Sequence, residues 1–150
     1  WGVLLPPLAA RLYFRDPAYY YARADYRAAA AALQRAAAPG DAILLANYLS
    51  PLWQYYLNYG RPAVPWYGLE NYDATSGLPD STRSLFAGLP ARYRRVWLLL
   101  DEAESGAGLR LEEAELSQRY SPQFILTLGP VRVVLFALER PIPSASLVPD

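Results

Sequence analysis

Three groups of side chains in this chain combine oxygen and amide groups with aromatic rings, which is what recognition of a polar ligand requires. Asn47, Tyr48, Leu49 and Ser50 follow one apolar run, and Asp101, Glu102 and Glu104 follow a second. Trp66, Tyr67, Glu70, Asn71, Tyr72 and Asp73 crowd the segment between them. A ring face stacks on the C–H surface of a sugar, while carboxylate and amide oxygens accept its hydroxyl protons. The ligand-binding candidates are therefore Asn47, Tyr48, Ser50, Trp66, Tyr67, Glu70, Asp73, Asp101 and Glu102, and the ligand class is a neutral polyol. The plain alternative is that the aromatics fill the core and the acids face water, the commoner fate of such residues.

Harder chemistry finds little support. Glycoside hydrolysis needs two carboxylates at a set separation. Asp101 and Glu102 are adjacent, so on a strand end their side chains point apart. Oxygen ligands for a divalent cation exist at Asp73, Asp101 and Glu102, but their spacing matches no metal-binding loop. The turn after the first apolar run, Asn47-Tyr48-Leu49-Ser50-Pro51, holds no glycine that would let backbone close on a pyrophosphate. Ser50 fits the role of a helix N-cap better than that of an anion site. No catalytic residue, metal or cofactor is assigned.

Composition narrows the field further. The 150 residues contain no His, no Cys and no Met, which removes the usual zinc sites, thiolate chemistry and imidazole acid–base catalysis. All 14 basic residues are Arg, so Schiff-base lysines are excluded. They balance 14 acids to a net charge of zero, which supplies no electrostatic footprint for nucleic acid. With 53% apolar and 19% charged residues the chain is not a disordered one. Its length suits one domain. Arg92, Arg94 and Arg95 form a small basic patch, read as a solvated strand entrance, with contact to a lipid headgroup or a phosphate as the alternative.

These residues need elements to position them. Asp25 caps a predicted helix over Tyr26 to Ala37, with Tyr26, Ala30, Leu33 and Ala37 on one stripe, and Pro39-Gly40 ends it. Ala42 to Ala46 is continuously apolar, the pattern of a strand buried on both faces. Ser50-Pro51 starts a helix that stops near Gly60. Ala63 to Trp66 reads as a short edge strand, because Pro62 and Pro65 weaken it. Tyr67 to Asp80 is predicted to be a long loop able to close over the ligand. A short helix over Ser81 to Ala87 leads to a second buried strand, Val96 to Leu100. A helix over Leu111 to Arg119 turns Glu112 or Glu113, Leu116 and Tyr120 inward. Gln123 to Leu128 and Val131 to Leu138 flank Gly129-Pro130 as a hairpin.

Alternating strands and helices predict an α/β fold: a three-layer α/β/α sandwich with one mixed, mostly parallel five-stranded sheet ending in an antiparallel hairpin. The strands at Ala42 and Val96 should be central neighbours, and ligands in such sheets bind beyond the carboxyl ends, where strand order reverses. The predicted organisation is an N-terminal juxtamembrane-like arm over 1–24, an α/β domain over 25–140 and a Pro-rich tail over 141–150. No apolar run reaches the ~20 residues that span a bilayer. The chain opens on Trp1, which predicts an excised piece of something longer.

Asp25-Tyr26-Arg27 opening an Ala-rich helix, Pro39-Gly40-Asp41 leading into an apolar strand, Tyr55-Tyr56 in the next helix and Arg95-Val96-Trp97-Leu98 as a late strand occur in a telling order. That order resembles the C-terminal soluble domain of polytopic membrane glycosyltransferases, similar to the protein mannosyltransferases and the aminoarabinose transferases of lipid A. The likeness covers about Arg23 to Leu138. It implies an extracytoplasmic domain that follows the last membrane helix of a parent transferring sugar from a polyprenyl-phosphate donor. The family's catalytic acid lies in the membrane module, so the resemblance assigns no catalytic residue here and implies that this piece alone is inactive. Its implied partners are the membrane module of the same polypeptide and a glycan or lipid-linked sugar. Two other readings stay open: a self-contained α/β small-molecule binder or enzyme using the strand-end acids, and an interaction module presenting the tyrosines around Tyr19 to Tyr21.

Overall fold

The computed structural model describes residues 17–46, 51–60, 64–70, 76–101 and 111–138. The first helix, α1, spans Pro17–Ala36. It begins nine residues before Tyr26, so Asp25 lies inside the helix instead of capping it. Proline is favoured at a first helical position, where its missing N–H is not needed, and Pro17 takes that place. The helix is continuous across position 24–25. Its inner stripe is the expected one: Tyr26, Ala30 and Leu33 are buried, joined by Ala29. Gly40, at φ 92°, makes the turn that delivers the chain to the sheet.

Strand β1 (Asp41–Leu45) is buried throughout. Helix α2 (Pro51–Gly60) follows, with Trp53 and Leu57 fully buried. Strand β2 is Trp66–Gly68, not Ala63 to Trp66. Pro62 and Pro65 offer no N–H to a ladder, so regular pairing starts after the last proline. Pro65 still accepts a bond from the Ile43 N–H through its carbonyl at 3.0 Å. Tyr67 is therefore a strand residue and not part of the long loop. Helix α3 (Asp80–Gly88) and a 3-10 turn (Leu89–Ala91) lead to β3 (Arg95–Asp101). Helix α4 (Leu111–Arg119), β4 (Ser121–Leu128) and β5 (Val131–Ala137) complete the order, with Gly129 at φ 58° in the hairpin turn.

The five strands form one mixed sheet in the order β2-β1-β3-β5-β4. β1 and β3 are central neighbours, β2 lies outside β1, and the hairpin lies beyond β3, as the pattern predicts. The β1–β2 and β1–β3 pairings are parallel, while β3–β5 and β4–β5 are antiparallel. Parallel pairings therefore do not outnumber antiparallel ones. The tight Gly129-Pro130 turn forces β4 and β5 into opposition, and β5, rather than β4, docks on β3.

Strand alternation sorts the core into two clusters. Leu44, Leu98, Val134 and Phe136 meet Phe86, Leu89, Leu116 and Tyr120 from α3, α4 and their flanking turns. Ile43, Leu45, Trp97, Leu99 and Val133 meet Tyr26, Leu33, Trp53 and Leu57 from α1 and α2. Burying each such Leu or Val contributes roughly 1.5–3 kcal/mol. The Tyr120 hydroxyl donates to the Phe86 carbonyl at 2.9 Å and so ties the end of α4 to α3.

Candidate functional site

The sheet order creates a reversal between β1 and β3. From β1 the chain crosses through α2, which packs with the Trp53 cluster, to β2 on one side. From β2 it returns through α3, which packs with the Phe86 cluster, to β3 on the other side. The carboxyl ends of β1 and β3 thus part at the point where open α/β sheets bind ligands. β3 runs two residues past the Leu45–Leu99 pair, and the Ala46 N–H donates to the Leu99 carbonyl at 3.0 Å and the Leu69 N–H to the Leu45 carbonyl at 2.9 Å.

Asp101 closes β3 at this edge, and its side chain is 0% exposed. It pairs in register with Val131 of β5, on the sheet face covered by α1 and α2. Asp101 is fully buried and so is not the solvated loop residue of the plain alternative. Glu112, in the first turn of α4, is also buried, on the Leu116 side of that helix. Glu113, beside it, accepts two bonds from Arg132 of β5 at 2.9 and 2.8 Å.

The two aromatic candidates separate. Trp66 pairs with Ile43 and packs on the α1–α2 cluster, whereas Tyr67 pairs with Leu44 and packs on the α3–α4 cluster. Successive strand residues face opposite ways, so Trp66 and Tyr67 do not build one platform. Tyr67 instead shares a hydrogen bond with the Tyr93 hydroxyl, their rings edge-on at 6.1 Å. The pair lines a cavity of about 250 Å³ with Leu85, Leu89 and Arg92. The bond to Tyr67, with burial, raises the Tyr93 pKa above its ordinary value. Glu70 is exposed and accepts a bond from the Ser81 hydroxyl at 2.9 Å, which pins the strand exit to the first turn of α3. Of the other candidates, Asn47, Tyr48, Ser50, Asp73 and Glu102 lie outside the described residues.

A polar network centred on one carboxylate lies at the opposite end of the sheet. Asp41, 2% exposed, opens β1 directly beside Arg95, which opens β3. Its carboxylate accepts from Arg95 Nε at 2.9 Å, Arg95 Nη2 at 2.7 Å, Trp97 Nε1 at 3.0 Å and the Ala38 N–H at 3.0 Å. Burial pushes the Asp41 pKa up. The bonds from Arg95, Ala38 and Trp97, with the Arg95 charge, outweigh that and hold it below the ordinary carboxylate value. Arg95 is thus bound to a buried acid and is not simply part of a solvated strand entrance. The available signal was an acid and a base each opening a run of apolar residues.

Among the described residues no group of three or more acids is placed to hold a metal ion, and no helix is long and apolar enough to cross a membrane. No protein-family model, no curated protein and no solved structure matches this chain.

Proposed function

We propose that this chain is a non-catalytic accessory domain of a membrane glycosyltransferase that uses a polyprenyl-phosphate sugar donor. It would sit at the extracytoplasmic face and recognise a glycan or acceptor at the carboxyl ends of β1 and β3. Its two covered sheet faces are read as a three-layer α/β/α sandwich. The observation that carries the reading is the meeting of two of the resemblance motifs. Asp41 of Pro39-Gly40-Asp41 bonds Arg95 and Trp97 of Arg95-Val96-Trp97-Leu98, although 54 residues separate Asp41 from Arg95. A shared motif pair spent on a buried fold-determining contact speaks for kinship of fold, with the transfer chemistry housed elsewhere in the parent.

The coding sequence upstream of Trp1 tests this. The proposal expects roughly 8–14 apolar segments of about 20 residues each. A parent that lacks such segments contradicts it. Asp101 favours a second reading, a self-contained α/β binder or enzyme, because a fully buried carboxylate stands at the strand reversal. Under that reading Asp101→Ala abolishes ligand binding in a chain that has no membrane module.

A further inference from the structure

A second recess lies at the amino ends of the strands, away from the reversal described above. There a cleft of about 350 Å³ opens between the turn after α1 and the start of β4. Its lining includes Ala38, Asp41, Arg94, Arg95, Gln123 and Ala137.

Asp41 fixes the guanidinium of Arg95 by binding Nε and Nη2, which leaves the hydrogens of Nη1 uncommitted among the described residues. The side chain of Arg95 is 33% exposed, so those donors are not sealed in the core. Arg94 is exposed and makes no side-chain bond to any described residue. Its backbone is anchored on both sides, by its own N–H to the Gly40 carbonyl at 2.9 Å and by the Leu138 N–H to its carbonyl at 2.9 Å. Gln123 arrives through an irregularity in the sheet. The β4–β5 register shifts between Pro122 and Phe124, so Gln123 has no cross-strand partner. An extra residue of this kind re-aims a side chain, here toward the cleft, and brings a carboxamide donor.

The charges favour an anion. Two arginines face one carboxylate, and both oxygens of that carboxylate are already occupied by four donors. Asp41 is the only acid among the described lining residues, so an incoming cation finds no free carboxylate among them. A pre-positioned guanidinium, a second arginine and an amide are the donor set that recognises a phosphate. The geometry points to an oxyanion site in this cleft that takes a phosphate group, carried by a small molecule or by a lipid headgroup.

Amide spectra of the full chain, recorded with inorganic phosphate and with sodium chloride at equal ionic strength, test the site. Saturable shifts at Ala38, Arg94, Gln123 and Ala137 are expected with phosphate alone. Arg94→Ala and Gln123→Ala touch exposed side chains and leave the fold intact. Arg94→Ala should weaken phosphate binding about tenfold and Gln123→Ala about fivefold. Co-sedimentation with phosphatidylglycerol vesicles separates the two sources. Retention lost in Arg94→Ala, without binding of free phosphate, assigns the group to a headgroup, whereas binding of free phosphate assigns it to a small molecule. Shifts identical to those from chloride together with no vesicle retention overturn the site, as does binding insensitive to both substitutions.

Discussion

Asp41 and Arg95 open neighbouring parallel strands in direct register, and the guanidinium of one grips both carboxylate oxygens of the other. A one-residue slip between β1 and β3 would put the two side chains on opposite faces of the sheet. The pair therefore specifies the register of the central parallel strands as well as stabilising them. The Trp97 indole N–H, two residues along β3 on the same face, adds a third side-chain donor to Asp41.

Removing the base should cost more than neutralising the acid. Arg95→Ala leaves a buried carboxylate with only the Trp97 and Ala38 donors, and the expected loss is about 3–5 kcal/mol. Asp41→Asn keeps an acceptor and leaves a partly exposed arginine that can reach water, for a loss of about 1–3 kcal/mol. Urea unfolding of both variants measures the order.

The same carboxylate makes stability depend on acid. Its folded pKa lies below the unfolded value near 3.8, so its contribution is complete above that value. The contribution disappears as the pH falls through the lower folded pKa. Unfolding curves recorded at successively lower pH should show stability falling below about pH 4, with a shallower fall in Asp41→Asn.

Trp53 is fully buried, and its indole N–H has no hydrogen-bond partner among the described residues. Trp53→Phe deletes this unsatisfied donor while keeping an aromatic ring against Tyr26, whose ring centroid is 4.8 Å away. Its net cost should stay below about 1.5 kcal/mol, because relief of the orphan donor offsets part of the lost volume. Trp53→Ala should cost about 3–5 kcal/mol. Thermal and chemical denaturation distinguish the two.

Strand β4 forms an open sheet edge with Phe124 and Ile125 exposed at 48% and 47%. Its eight residues carry no charge, and uncharged apolar edges invite pairing between chains. Ile125→Lys should change stability by less than about 0.5 kcal/mol. It should also lower light scattering at high protein concentration.

The Tyr67–Tyr93 contact gives a spectroscopic handle. The raised pKa of Tyr93 means that its phenol ionises at higher pH than an ordinary tyrosine. Tyr67→Phe removes the largest cause and leaves burial, so ultraviolet titration should show one tyrosine moving back toward the ordinary range.

Much of the architecture was legible because hydrophobic runs report burial directly. The runs at Ala42 to Ala46 and Val96 to Leu100 are apolar at every position, which only strands buried on both faces require, and they are the central pair. Chain ends of elements were harder to read. Pro17 can start a helix or interrupt one, and the local sequence alone does not decide between the two. The directions of Trp66 and Tyr67 were hard to read for a similar reason: two adjacent aromatics look like one cluster in the sequence and face opposite sides of a sheet in a strand. Asp101 was legible as a position but not as a buried group, because burial of an acid depends on partners remote in sequence. The Asp41–Arg95 bond, between residues far apart in the chain, required knowledge of strand register.

The central functional claim, that a sugar is recognised where β1 and β3 part, is tested most directly by titrating mannose into the labelled chain and following backbone amides. Saturable shifts at Ala46, Gly68 and Asp101, with the Tyr67–Tyr93 cavity and the amino-end cleft unperturbed, are the predicted result. Silence at those three amides up to the solubility of the sugar, or shifts confined to another face, would contradict it.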